Sequence, residues 1–397
     1  MTQAQELPLQ MRRNGLDPAE ELARARDGEG VVRVMTPFGP PAYLVCRHED
    51  VRQVLSDPGR FSSASTPFPG SGAMDEEERA KMRAGNLIGF DPPEHTRLRR
   101  MLTPEFTVRR MRRLEPRIVE IVEAALDDLE RAGRPADLMA HFAMPVPSLV
   151  ICELLGVPYA DRAEFQERSA RLLDMSLTVE QRAAAGREDR AYMAGLVARA
   201  QADPGEDLLG MLVREHGDDL STDELVGVAR LLLLAGHETT SNMLGLGTLA
   251  LLRHPGQLAM IRDDPAQVEP AVEELLRWLS IVHALAPRTT TTDVEIAGHA
   301  IPAGSFVMLS LPAANRDRAF IDDPDTLDIT RGAAGHVAFG HGVHHCLGAP
   351  LARMEMRIAF PALLRRFPRL ALAHPDEQVD FRAFSIVYGV NALPVTW

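Results

Sequence analysis

The chain has 397 residues, 45% hydrophobic and 25% charged, the make-up of an ordinary globular protein rather than a fibrous or disordered one. Its net charge of −13 argues against general nucleic-acid binding. Its three scattered cysteines, Cys46, Cys152 and Cys346, make no disulfide framework and point to a reducing cytoplasm. At this length single cores usually split, so one large domain or two fused lobes are both open.

Taken in chain order, VVRVMTPFGPPAYLVC (31–46) alternates about a turn at Gly39-Pro40-Pro41 and predicts a short β unit, and HEDVRQVLSD has the spacing of a helix. Residues 62–85, rich in Ser, Gly and Pro and then in charge, read as a long loop with a short helix. They contain Lys81, the only lysine; the other 42 basic residues are arginine. From about 93 to 280 nearly everything has helical spacing. Ser221 and Glu224 form a capping box that opens one helix of about 32 residues, ending near Pro255. Its middle is apolar all round, so it is expected to be buried, yet it carries His237-Glu238-Thr239-Thr240-Ser241-Asn242. Buried polar groups are costly without partners, so that cluster needs a reason. A second helix is expected from Pro265 through EPAVEELLRWLS, then β-hairpins turning at Gly298 and Gly304, an irregular meander over 313–336, and a last helix over 348–367. The longest apolar block, LVGVARLLLLAG, is interrupted by Arg230 and falls short of the roughly 18 residues a membrane span needs. The first twenty residues hold no apolar signal-peptide core.

Chemistry concentrates around Cys346, in AFGHGVHHCLGAPLAR (338–353). A lone cysteine is most often a buried structural thiol. Zinc is a second reading because His341, His344 and His345 are close, but a structural zinc site usually shows paired ligands, and adjacent histidines chelate awkwardly. The third reading is a haem thiolate, whose glycine neighbours let the backbone approach a flat macrocycle and turn amide N–H groups toward the sulfur.

Phe339-Gly340-His341-Gly342-Val343-His344-His345-Cys346-Leu347-Gly348 resembles the haem-binding loop of the cytochrome P-450 superfamily, with all five fixed positions filled. Ala235-Gly236-His237-Glu238-Thr239 is similar to that family's oxygen-activation motif: a hydroxyl, Thr239, to hold dioxygen and a water, and a carboxylate, Glu238, to relay protons from solvent. A kink with back-bonded threonines is the bland alternative. His237-Glu238 also opens a zinc-protease motif, but Ser241 stands where its second histidine belongs. Glu274 and Arg277 match the family's E-x-x-R lock, and Arg331 resembles the arginine that joins it, although Leu327 stands where phenylalanine is usual. His95 and Arg99, four apart on one helical face after Pro92-Pro93, resemble the haem-propionate pair, with Arg288 and His344 completing that set.

The resemblance covers about 35–397 and is nearest to soluble actinomycete members that decorate secondary metabolites. It implies a mainly α fold with a small β lobe, one domain over 1–397 without a fused reductase, and haem b between the long helix and the cysteine loop. Cys346 would be its axial thiolate and metal ligand, with Ala235, Phe339, Gly340 and Gly348 beside it. The implied activity is a monooxygenase that hydroxylates or epoxidises a bulky hydrophobic natural product, a macrolide or polyene, in antibiotic biosynthesis. A steroid or terpenoid hydroxylase, a peroxide-driven peroxygenase and a haem sensor are the competing readings. Dioxygen is the co-substrate, and electrons come from NAD(P)H through ferredoxin reductase and ferredoxin. The ferredoxin is expected on Arg97, Arg100, Arg109, Arg110, Arg112 and Arg113, and the protein is expected to be a cytoplasmic monomer with no nucleic-acid or membrane partner. Leu87, Ile88, Met175, Leu177, Leu285, Ala286 and Ile386 are the expected apolar pocket lining.

Overall fold

A computed structural model describes residues 7–36, 41–66, 76–161, 164, 167–168, 171–172, 177–283, 287–374, 378–382 and 385–397. In chain order the helices are α1 (Glu20–Asp27), α2 (His48–Ser56), α3 (Glu76–Arg83), α4 (Glu94–Leu102), α5 (Val108–Ala132), α6 (Pro145–Leu155), α7 (Val179–Ala202), α8 (Leu208–His216), α9 (Thr222–Arg253), α10 (Pro255–Asp263), α11 (Val268–Leu279), α12 (Leu311–Ala314) and α13 (Ala349–Arg366). The strands used below are β1 (Val31–Met35), β2 (Pro41–Val45), β3 (Phe61–Ser62), β4 (Ala136–Asp137), β5 (Arg288–Thr290), β6 (Val294–Ile296), β7 (His299–Ile301), β8 (Phe306–Leu309), β9 (Ala371–Leu372) and β10 (Pro394–Thr396). These elements form two compact units, and no described helix is long and apolar enough to cross a membrane.

The first unit joins residues 1–69, 266–346 and 381–389. It is built on a five-stranded sheet ordered β1-β2-β8-β5-β3, with β8 parallel to β2 and the other pairs antiparallel. The β unit expected over 31–46 supplies Val31 and Val45 to its inner face, which pack with Val307 and Leu309 of β8, with Val51, Val54 and Leu55 of α2 and with Phe61. β6 and β7 form the hairpin expected at Gly298, where Ala297 and Gly298 both take positive φ. α11 ends at Ser280, in the left-handed region at φ 40°.

The second unit joins 70–265, 347–380 and 390–397. Its axis is α9, capped by the Ser221–Glu224 box and 32 residues long, hence about 48 Å. α6, α7 and α13 pack against it, and β9-β10-β4 form a small sheet nearby in the same unit. Glycine lets neighbours press on the α9 backbone: a Cβ at Gly227 would collide with the carbonyl of Ala84, and one at Gly236 would stand 2.7 Å from Ile151 Cδ1. α3, the short helix of the long loop, is tied down by two arginines. Arg190 of α7 donates to the Lys81 carbonyl at 2.8 Å and to Asp223 at 2.5 Å. Arg230 of α9 pairs with Asp189 at 2.6 Å and reaches Met82 Sδ at 3.8 Å. Arg230 thus interrupts the apolar run because it carries an inter-helix tie. The long helix stops before Pro255 as expected, but that proline opens a further helix, α10, at a first-turn position where its missing N–H costs nothing.

Candidate active site

In the first unit the chain enters the cysteine loop at Val337, whose N–H donates to Asn315 Oδ1 at 2.7 Å. Gly340 and Gly342 then take φ of 71° and 69°, which only glycine adopts without strain. A Cβ on Gly342 would collide with the Leu55 carbonyl of α2. The turn brings the Cys346 N–H to the Phe339 carbonyl at 2.8 Å and leaves the Cys346 side chain exposed. The histidines do not gather around it: among the described residues no three His, Cys, Asp or Glu side chains form a metal-holding group. The zinc reading therefore finds no ligand group among the described residues. One exposed soft sulfur on a glycine-turned loop would suit a haem iron, which needs a single protein thiolate rather than a cluster of side chains. His344 lies with Nε2 3.3 Å from Ser63 Oγ, and Arg288, buried on β5, donates Nη1 to the Pro287 carbonyl at 2.9 Å.

Behind the loop, Glu274 and Arg277 are fully buried and joined by two parallel bonds of 2.7 Å. Nη1 of Arg277 also donates to the carbonyls of Asn315 at 2.9 Å and Pro324 at 2.8 Å. Glu274 accepts the Asp328 N–H at 3.1 Å and has Arg331 Nε 3.7 Å away. Asn315 is the hinge of this arrangement, its carbonyl on Arg277 and its side chain on Val337. The lock therefore fixes the entry of the cysteine loop as well as the meander. Leu327 fills its position as a buried apolar residue.

In the second unit α9 solves the problem of its polar centre largely within itself. Thr239 Oγ1 donates to the Ala235 carbonyl at 2.8 Å, Ser241 to His237 at 2.7 Å, Asn242 Nδ2 to Glu238 at 2.7 Å and Thr248 to Leu244 at 2.7 Å. The back-bonded threonine, set out above as the bland alternative, is therefore present. It does not compete with chemistry, because a hydroxyl that donates to its own helix still offers lone pairs to a donor from outside. Glu238 is buried, with His237 Nε2 at 3.5 Å and Asn242 Nδ2 at 3.4 Å from its carboxylate. Ala235 is exposed and Thr239 half-buried on a helix that is otherwise closed from His237 to Leu251, which gives one face of α9 room for a flat partner. On α4, His95 is buried and Arg99 half-buried.

The six arginines proposed as a docking face are not equivalent. Arg97 is spent on Glu94 and Glu224, and Arg110 on Glu105 at 2.8 Å, whereas Arg100, Arg109, Arg112 and Arg113 are exposed. Of the expected pocket lining, Leu87 is buried, Ile88 exposed, and Leu177 and Ile386 half-buried. Met175, Leu285 and Ala286 lie outside the described residues. His283 and Glu355 are among the buried titratable groups that were not foreseen. His283 is 1% exposed, and burial pushes its pKa down to about 3. Glu355 is 1% exposed, and burial raises its pKa well above the carboxylate range. Helical periodicity held the signal for Glu355, which shares a stripe with Leu351 and Ala359, both buried.

The chain matches the family model described as Cytochrome P450 over residues 197–386. It is 61% identical over 395 residues to "Cytochrome P450 FAS1" of Rhodococcoides fascians, spanning 99% of each chain. Among solved structures, P450 StaH from glycopeptide antibiotic A47934 biosynthesis shares 50% identity with a TM-score of 0.87 over 98% of this chain and 99% of its own. CYP105P1 in complex with filipin I shares 41% identity with a TM-score of 0.91 over 97% of each chain.

Proposed function

Because the chain belongs to the cytochrome P450 family and is a haem-thiolate monooxygenase, we propose that it draws electrons from a ferredoxin and hydroxylates or epoxidises a bulky hydrophobic natural product, of macrolide or polyene type. We take the two units as one functional domain working in the cytoplasm. The observation that carries the reading is Cys346, a single exposed thiol on a loop that its glycines and Asn315 hold in place. Haem, when bound, would supply the redox chemistry needed to insert one oxygen atom of dioxygen into a C–H bond or alkene. Cys346 would bind its iron as thiolate, and His95, Arg99, Arg288 and His344 would neutralise its propionates.

The rest of the chemistry is assigned to protein groups. Thr239 has its own hydrogen on Ala235, so it serves as an acceptor that orients a water on the exposed face of α9. Glu238 is the carboxylate through which a proton reaches that water, with His237 and Asn242 holding it in position. Ala235 keeps the same face free of bulk. For electron entry, the exposed set Arg100, Arg109, Arg112 and Arg113 replaces the original six arginines, since Arg97 and Arg110 already have carboxylate partners. Relatives from glycopeptide antibiotic biosynthesis and with filipin I bound support a natural product of antibiotic type as substrate. The test of the thiolate is spectroscopic. The reduced carbon-monoxide complex should show the strongly red-shifted Soret band of thiolate ligation, and Cys346→Ser should lose it. A variant that keeps the band refutes the assignment.

A further inference from the structure

We infer that a cavity of about 560 Å3 in the second unit, bordered by Glu164, Glu167, Arg168, Arg171, Glu188 and Tyr192, is a second binding site, built for an organic anion that presents two oxygens side by side. None of these residues has a role in the proposed oxygen chemistry. They come from the helical residues between 164 and 172 and from α7.

The centre of the site is Arg168. Its side chain is 7% exposed, and its guanidinium lies over the Tyr192 ring at 4.2 Å. Tyr192 is itself fixed, its hydroxyl donating to Asp161 at 2.7 Å. Nη1 of Arg168 is used by Glu164 at 2.5 Å. Nε and Nη2 have neither a hydrogen-bond partner nor contact with solvent. Those two atoms form the side-on edge of the guanidinium, whose spacing matches a carboxylate or phosphoryl group. The same chain shows what this edge takes elsewhere. Arg277 receives both oxygens of Glu274 on Nε and Nη2 at 2.7 Å, and Arg262 receives both oxygens of Asp263 in the same way at 2.7 Å.

A guanidinium cannot shed its charge, so a buried one with its best edge unmatched is costly unless something completes it. Arg171 repeats the pattern more weakly. Its Nη2 is held by Glu188 at 2.6 Å, while its Nε is closed off and has no partner. Glu164 and Glu188 thus hold the two guanidinia in place, and three N–H donors remain for a ligand. Among the described lining residues the Tyr192 ring supplies the aromatic wall, which favours an anion carried on an aromatic or apolar body.

Calorimetric titration of the haem-loaded protein tests this with three probes of one shape: phenylacetate, phenyl phosphate and neutral phenylacetamide. One of the two anions should bind saturably at one site, and which of them is tighter tells whether the site serves carboxylates or phosphoryl groups. Phenylacetamide should bind at least tenfold more weakly. Arg168→Lys, which keeps the charge and loses the fork, should weaken anion binding at least tenfold, with Arg171→Lys having a smaller effect. Circular dichroism and the carbon-monoxide spectrum report whether each variant is folded. If Arg168→Lys does not fold, the Nε–H resonances of 15N-arginine-labelled wild type give the same readout, because the anion should shift a side-chain signal that the amide leaves in place. No saturable binding of either anion, equal binding of the amide, or unchanged affinity in folded Arg168→Lys overturns the assignment.

Discussion

His283 makes a specific claim about acid stability. The ring is buried between Ser385, whose carbonyl is 2.5 Å from Nε2, and Tyr388, whose ring centre is 5.7 Å away. Burial is the main reason its pKa falls from 6.5 to about 3, and the positive charge of Arg13 adds to it, while the bond to Ser385 works in the other direction. A depressed histidine pKa means that the unfolded chain binds a proton the native chain refuses. Its contribution is therefore fully present above pH 6.5 and is lost as pH falls toward 3. One pKa unit corresponds to about 1.4 kcal/mol, so moving from pH 7.5 to pH 5, some 1.5 units below the unfolded value, costs the native state about 2 kcal/mol from this residue alone. His283→Gln keeps a donor for the Ser385 carbonyl and cannot titrate. Urea unfolding of both proteins at pH 7.5 and pH 5 should show the variant losing about 2 kcal/mol less than wild type on acidification, whatever its stability at neutral pH. Equal losses would show that His283 is not held neutral by its surroundings, and the reasoning would fail.

Three further outcomes follow from other parts of the molecule. Thr239→Ala should bind substrate and consume reductant at near wild-type rates yet release several-fold more hydrogen peroxide per product; an unchanged product-to-reductant ratio removes the role given to the hydroxyl. Arg112→Glu should slow the first electron transfer from ferredoxin about tenfold at low salt and flatten its salt dependence, since a positive patch raises encounter rates roughly 10–10³-fold and is screened beyond ~8–10 Å; a wild-type rate would place the docking face elsewhere. Gly227→Ala drives a methyl into the Ala84 carbonyl and should cost roughly 1–3 kcal/mol in urea unfolding, as overpacking does, with an unaffected midpoint showing that the backbones separate freely.

Sequence patterns carried those features whose cause is local. The capping box, the length of α9 and the stop before Pro255 all follow from neighbouring residues, and so does the turn of the cysteine loop, since its glycines are required by φ. Features that depend on distant partners were out of reach. Nothing near Asn315 says that it will join Arg277 to Val337, a span of sixty residues of chain closed by the carbonyl and side chain of one residue. The π-helical turn Met139–Ala143 has no periodicity of its own; it lies where Met139 meets Gly245 of α9. The arginine clusters near 97–113 looked alike in sequence because charge is visible there and pairing is not. Arg97 differs from Arg100 through Glu94, a glutamate 127 positions away and the Asp219 carbonyl.

The fastening of α3 bears on how this protein can be studied. Lys81 sits in the last turn of that helix, its ammonium 2.5 Å from Glu77 and its side chain about half accessible, while its carbonyl is clasped by Arg190. Since it is the chain's sole lysine, amine-directed reagents have one side-chain target. A fluorophore or isotope-coded tag that acylates a side-chain amine would land on the helix that two arginines fasten to α7 and α9, with no engineered cysteine, the α-amino group being the other amine to block or account for. Glu77 raises the Lys81 pKa, so labelling calls for mildly alkaline buffer, and breaking that one ion pair with Glu77→Gln would quicken it. The label's anisotropy would then read out how firmly that clasp is held, turnover by turnover, in an otherwise unmodified protein.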